Sequence, residues 1–68
     1  MEKLIFKLEV ERDELEQKLN KLKAFLNDKE RLAAVSQEQN DLLHKQYLYM
    51  YRYLAVLNAR ISNLVEEL

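Results

Sequence analysis

The sequence of 68 residues contains no glycine, no proline and no cysteine. A sheet needs tight turns, which depend on Gly, Pro, Asn and Asp, and the turn-like dipeptide here is Asn27-Asp28. Without cysteine, neither a disulfide nor a Cys-based metal site can support a small core. What is present, 49% hydrophobic and 34% charged residues, is typical of a helical or coiled-coil protein. We therefore predict an all-α chain that forms one domain, residues 1–68.

Charge of one sign and long hydrophobic runs are also lacking. The net charge of −1 provides no general attraction to nucleic acid or to an anionic membrane. The longest apolar run, residues 47–57, is shorter than the roughly 20 residues that span a bilayer, and the N-terminus has no sustained apolar segment of a targeting signal. We expect neither DNA nor a membrane as a partner.

Catalytic groups are scarce, with one histidine and no glycine-rich phosphate loop. Asp41 and His44 have the spacing of half a carboxylate–histidine metal motif, but such sites need several more inward carboxylates. We expect His44 to be solvated. The chain is predicted to be no enzyme and to have no metal or cofactor.

Three helices are predicted, at about residues 2–26, 29–35 and 37–67. The first has a heptad seam with one polar interruption, formed by Ile5, Leu8, Arg12, Leu15, Leu19, Leu22 and Leu26. The last begins with a capping box in which Ser36 is followed three residues later by Gln39.

Tyrosines occupy every second position between 47 and 53, a spacing that is also typical of a β-strand. A continuous 3–4 stripe passes through this block and beyond it, which favours a helix, formed by Leu43, Tyr47, Met50, Leu54, Leu57, Ile61, Leu64 and Leu68.

A second apolar stripe on the same helix consists of Leu42, Tyr49, Tyr53 and Val56. One partner helix can cover only one of the two stripes. We therefore predict two long antiparallel helices joined by a short helical link and assembled as a homo-oligomeric helical bundle. The number of subunits, from dimer to hexamer, stays open.

Lys18, Lys21 and Lys23 form the most notable charged cluster. Taken alone, they fit an ordinary polar helix face better than an anion site. Phe6, which is next to the seam position Ile5, likewise fits a core or interface aromatic residue better than a ligand-binding one.

An ordered set of motifs gives these residues a further interpretation. The set comprises Lys21-Leu22-Lys23-Ala24-Phe25-Leu26, Ser36 to Gln39, Leu42-Leu43, and Met50 to Ile61. With their spacing, these motifs resemble a family of small helical phage proteins over about residues 6–61. That family includes anti-CBASS sponges, which sequester cyclic oligonucleotide second messengers of bacterial immunity.

The resemblance implies a protein that holds its messenger without degrading it, in the cytoplasm of the infected bacterial host. It places the base-stacking aromatic at Phe6, where the family often has tyrosine. It places the contacts with phosphate and ribose at Lys21 and Lys23, the latter in place of a small hydroxyl residue. Some members have a separate pocket for cyclic trinucleotides, and the resemblance implies that Arg60 would belong to such a pocket.

Helix geometry adds a condition on such a site. Phe6 and Lys21 are about 22 Å apart along a straight helix, too far for one cyclic dinucleotide to touch both in one chain. Antiparallel packing of two first helices would bring Phe6 of one copy near Lys21 of another, twice by symmetry.

Two rival functions remain at this stage. A structural or adaptor oligomer would use its exposed stripe to bind another protein. A hydrolase of the same messengers is disfavoured, because the sequence shows neither a metal set nor a nucleophile set.

Overall fold

The computed structural model describes all residues from 1 to 68 and contains three helices and no strand. These are α1 (Glu2–Leu26), α2 (Lys29–Ala33) and α3 (Gln37–Glu66). The two long helices pack against each other to form a rod of 48 × 15 × 13 Å. The all-helical prediction is confirmed, and a strand at residues 47–57 is excluded because this segment lies within α3.

The direction of α3 relative to α1 follows from contacts at three levels of the rod. Near one end Leu8 shares a cluster with Ile61, and in the middle Glu11 bonds to Tyr53. At the other end, Lys23 and Leu26 line a groove with His44 and Tyr47. As numbers rise in α1 they fall in α3, so the two helices are antiparallel.

Side-chain caps begin both of the later helices. The Asp28 carboxylate accepts a hydrogen bond from the Arg31 backbone N–H at 3.2 Å. The Ser36 hydroxyl accepts one from the Gln39 backbone N–H at 3.1 Å. Each cap satisfies one N–H that has no partner within its own helix, so the starts of α2 and α3 are fixed locally.

The short helix α2 ends at Ala33. The next two amides donate to carbonyls three residues back, Ala34 to Arg31 and Val35 to Leu32. These tighter bonds end the α-helix two residues before the predicted end of the link at about residue 35.

The core between the long helices is small. Only six side chains of 68 are buried: Ile5, Leu8, Leu15, Leu19, Leu57 and Ile61. Leu57 is the only one that is completely enclosed, at 0% exposure. Its cluster includes Leu8 and Leu15, which are seven residues apart on α1 as a heptad seam requires.

A second apolar surface on α3 has no cover within the chain. We call it the α3 stripe, and it consists of Leu42, Tyr49, Tyr53 and Val56, which are 46%, 62%, 46% and 55% exposed. A hairpin buries only one side of each helix, so this surface faces solvent in a single chain. Exposed apolar surface of this kind is a candidate for contact with another chain.

The tyrosine block divides between different surroundings. Tyr47 and Tyr51 stack with ring centroids 6.5 Å apart and an interplanar angle of 23°. Tyr53 donates to the Glu11 carboxylate across the hairpin. Tyr49 has neither a stacking partner nor a hydrogen-bond partner and remains open on the α3 stripe.

None of the three helices combines the length and the apolar character that a membrane crossing requires.

Candidate functional site

Phe6 is an aromatic side chain in the second turn of α1 that the core does not use. It is 67% exposed, although it lies only two residues before the buried Leu8. Exposing a phenyl ring costs hydrophobic stabilisation that burial would provide. Of the two interpretations of Phe6, a core position is therefore excluded within one chain, and an interface or ligand position remains.

Lys21 lies on the same side of α1 as Phe6. Fifteen residues at 3.6 per turn leave the two side chains about 60° apart around the helix. Val10, about 40° from Phe6 by the same geometry, is also exposed between them. Phe6, Val10 and Lys21 thus share one outward surface, which we call the outer face of α1. The separation of Phe6 and Lys21 along that face is about 22 Å.

Lys23 lies on a different side of the helix. Two residues correspond to a rotation of about 200°, so Lys21 and Lys23 point in nearly opposite directions. Lys23 lines a groove of about 250 Å³ together with Leu26, Asn27, His44 and Tyr47. One chain therefore does not bring Phe6, Lys21 and Lys23 together.

Arg60 is exposed on α3, next to the buried Ile61. Since Ile61 packs in the cluster that contains Leu8, Arg60 lies at the end of the rod that carries Phe6. It follows Val56 by one helical turn and continues the line of the α3 stripe. It is far from Lys21 and Lys23, which lie towards the other end.

The cationic groups of interest have no acidic partner within the chain. The two ion pairs are Arg12–Asp13 at 3.0 Å and Arg31–Asp28 at 3.4 Å. Lys21, Lys23 and Arg60 take part in neither, so their donors are free to bind an anion.

The other surface depressions have different chemistry. The largest, of about 310 Å³, is lined by Asp13, Glu16, Gln17 and Asn20, and its two carboxylates disfavour an anion there. No group of three or more His, Cys, Asp and Glu side chains is placed to hold a metal ion. The polar surfaces of the chain thus carry hydrogen-bonding and charged groups, but these do not form a set of metal ligands.

The groove beside Lys23 is a feature that sequence reasoning missed. His44 and Tyr47 are three residues apart on α3, and nothing in that spacing indicates that they face the end of α1. The register of the two antiparallel helices, which pairs early α1 with late α3, would have been needed to find it.

Comparison with known proteins gives one match. Residues 2–63 match the protein-family model described as Sequestin. This range contains both faces described above and all four of Phe6, Lys21, Lys23 and Arg60. No curated protein and no solved structure matches the chain.

Proposed function

Because the chain belongs to the Sequestin family, we propose that it sequesters cyclic di- or oligonucleotide messengers of bacterial CBASS defence without cleaving them. Sequestin is the name of such sponge proteins, so the family match confirms the resemblance that the sequence motifs indicated. The family makes this chain a sequestering protein. The class of messenger and its survival intact are the parts that we propose.

Our first inference is a homo-oligomer, between dimer and hexamer in size. It is supported by the contrast between six buried side chains and the α3 stripe, whose four side chains are each about half exposed. A domain of this length is close to the lower limit for an independent core. Covering the α3 stripe with the same surface of another copy would supply the missing burial, and a symmetric contact would repeat it.

The proposed site depends on one observation: Phe6 and Lys21 lie on the same outer face of α1. Two α1 helices that pack antiparallel through their outer faces place Phe6 of one copy opposite Lys21 of the other. The twofold axis then supplies two phenyl faces and two ammonium groups, which match the two bases and two phosphates of a cyclic dinucleotide.

The typical free energies of these contacts support measurable affinity for a cyclic dinucleotide. Stacking of a base on an aromatic ring contributes about 1–3 kcal/mol. A hydrogen bond to a charged group contributes about 1.5–3 kcal/mol, since its charge strengthens the contact. Two of each contribute about 5–12 kcal/mol in total, a range that includes the roughly 8 kcal/mol of a micromolar complex.

Lys23 and Arg60 are assigned supporting roles. Lys23 contacts the phosphate and ribose side of bound ligand from its own side of α1. Arg60, with no acidic partner and in line with the α3 stripe, is the candidate for a second pocket for cyclic trinucleotides where another copy covers that stripe.

Retention without cleavage is supported by the available groups. The chain has no cysteine, and its carboxylates and histidine do not assemble as metal ligands. Such a protein acts by stoichiometry in the cytoplasm of the infected host cell, where binding keeps the messenger from its effector.

Isothermal titration with a panel of cyclic di- and trinucleotides tests the proposal. We expect heat of binding with at least one member, and intact nucleotide recovered after the protein is denatured. A panel that produces no heat would overturn the ligand class, and recovery of linear nucleotide would overturn retention without cleavage.

The exposed α3 stripe also supports a second candidate, an adaptor oligomer that binds another protein. Thermal unfolding with and without cyclic dinucleotide separates the two. A sponge unfolds at a higher temperature with ligand by mass action, whereas an adaptor does not respond.

A further inference from the structure

A further line of side chains along α3 is only partly used by the contact with α1. Its members follow one another at alternating steps of four and three residues, which is the spacing of a heptad seam. We call it the Asn58 seam, and it consists of Tyr47, Tyr51, Leu54, Asn58, Ile61, Val65 and Leu68. Leu54 and Ile61 also pack in the contact with α1. The outer members are open, because Tyr51, Val65 and Leu68 are 58%, 51% and 70% exposed.

The Asn58 seam lies on the opposite flank of α3 from the α3 stripe. Asn58 and Val56 are two residues apart, which is a rotation of about 200° around the helix. A helix that covers the α3 stripe therefore leaves the Asn58 seam exposed, and the cover of this seam must be a different helix.

The middle of the seam contains a depression with the shape that a partner helix requires. Its volume is about 200 Å³, and it is lined by Tyr51, Leu54, Ala55 and Asn58. These are residues i, i+3, i+4 and i+7 of one helix. Four residues with this spacing form the hole that receives one side chain of the facing helix in a coiled coil. Because Ala55 has only a methyl group, the partner can approach closely here.

Asn58 is the one carboxamide of the seam. It is exposed, and its side chain takes part in no hydrogen bond within the chain. A carboxamide both donates and accepts, so it can bond to an identical group. A single asparagine at such a seam position specifies register and the number of helices, at a cost in stability. In a parallel pair in register, Asn58 lies against its own counterpart, whereas a shifted register would bury it unpaired against Leu54 or Ile61.

The charges of α3 favour the same seam of another copy as the partner. Between residues 46 and 65 the charged residues are Arg52 and Arg60. They are turned about 120° and 160° away from Asn58 around the helix, so the pairing of two copies brings no like charges into the contact. Charges beside a seam are what selects a partner of different sequence, and this stretch has none there.

We propose that the Asn58 seam packs against the Asn58 seam of a second copy, with the two α3 helices parallel and in register and the two Asn58 carboxamides hydrogen-bonded to each other. This contact goes beyond the proposed function, because it uses a surface outside both the α3 stripe and the outer face of α1. Its twofold axis runs along the rod, whereas antiparallel pairing of α1 needs an axis across the rod. Both axes can exist in one closed assembly, which is then larger than a dimer.

Sedimentation velocity and thermal unfolding of two substitutions test the contact. Asn58→Asp has nearly the same shape and should shrink the assembly, because it brings two negative charges together in the seam. Asn58→Leu should raise the unfolding temperature by several degrees and sediment as more than one species, since leucine stabilises the seam but no longer selects one register. Ala59→Asp and Ala59→Leu introduce the same side chains at an exposed neighbour turned about 100° from Asn58. Both should retain the size and the unfolding temperature of wild type.

Val65→Cys tests the parallel direction. In register, the two positions face each other within the reach of a disulfide bond, so oxidation by diamide should join like chains into covalent dimers. If the helices paired antiparallel about Asn58, the two positions would be about 21 Å apart, since each lies seven residues from Asn58. No covalent dimer would then form.

Wild-type size in both Asn58 variants, or a lower unfolding temperature for Asn58→Leu, would overturn the seam contact. The absence of a disulfide in Val65→Cys would overturn its parallel direction. The sponge survives these results if the same variants still release heat with a cyclic nucleotide. A wild-type protein that sediments as a single chain would remove the seam contact and the proposed homo-oligomer together.

Discussion

The Tyr53 hydroxyl of α3 donates a hydrogen bond to the Glu11 carboxylate of α1, and this is the one side-chain hydrogen bond that joins the two long helices. It lies in the same α1–α3 contact as the cluster of Leu8, Leu15, Leu57 and Ile61, and together these contacts define the register of α1 against α3. Every placement of a site residue at one end of the rod or the other depends on that register.

Tyr53→Phe should lower the free energy of unfolding by about 0.5–1.5 kcal/mol, near the low end because both groups are partly exposed. Urea denaturation measures the change. Tyr49→Phe removes a hydroxyl without a partner from the same helix and should have a smaller effect. Equal effects of the two substitutions would contradict the register role of Tyr53.

Phe6→Ala should weaken binding of the active cyclic dinucleotide by roughly 2–6 kcal/mol, because a symmetric site loses two stacking faces. Its effect on thermal unfolding without ligand should be small, since Phe6 is outside the core. Phe6→Tyr preserves the ring and should bind nearly as wild type. Val10→Ala removes an apolar side chain of the same outer face without removing a ring, and should weaken binding much less than Phe6→Ala. An unchanged dissociation constant for Phe6→Ala in titration calorimetry would remove Phe6 from the site.

Lys21→Met should reduce affinity by about tenfold or more, the effect of a lost charge-assisted hydrogen bond. Methionine retains most of the aliphatic stem, so the change isolates the charge. The variant should also lose part of the salt dependence of binding, because exposed charges are screened as ionic strength rises. Lys18→Met, turned about 120° from Phe6, should retain both affinity and salt dependence. The same salt slope in Lys21→Met and wild type would argue against a phosphate contact.

Val56→Glu should break or shrink the assembly, because it puts an unpaired charge on the α3 stripe that we propose another copy covers. Sedimentation velocity gives the size. Ser62→Glu adds the same charge to an exposed position of α3 outside the α3 stripe and should sediment as wild type. If Val56→Glu has the size of wild type, subunits associate through another surface.

The sequence predicted the parts of this molecule that depend on neighbouring residues. The cap at Ser36, the seam of α1 that contains Leu8 and Leu15, and the stripe of α3 that contains Leu57 follow from spacing alone, and so does the exclusion of a strand. The family match likewise bears out motifs that can be read along the chain.

The sequence could not predict what depends on relative position in space. The opposed directions of Lys21 and Lys23 follow once their helix is known, but the groove shared by Lys23 and His44 needs the register of two helices. The pairing of Phe6 with Lys21 needs a second copy of the chain, and so periodicity within one copy does not determine it.

Cross-linking tests most directly whether the ligand site is shared between copies. The chain has no cysteine, so one sample can carry Phe6→Cys alone and a second Lys21→Cys alone. After the two are mixed and exchanged, each chain carries a single cysteine, so any cross-link joins two chains. In an antiparallel pair two like cysteines are about 22 Å apart along the helices, too far for a short bis-maleimide reagent. We predict covalent dimers that join one chain of each kind, protected or slowed by the cyclic dinucleotide that binds. Dimers that join only like variants, or no dimers at all, would contradict the shared site.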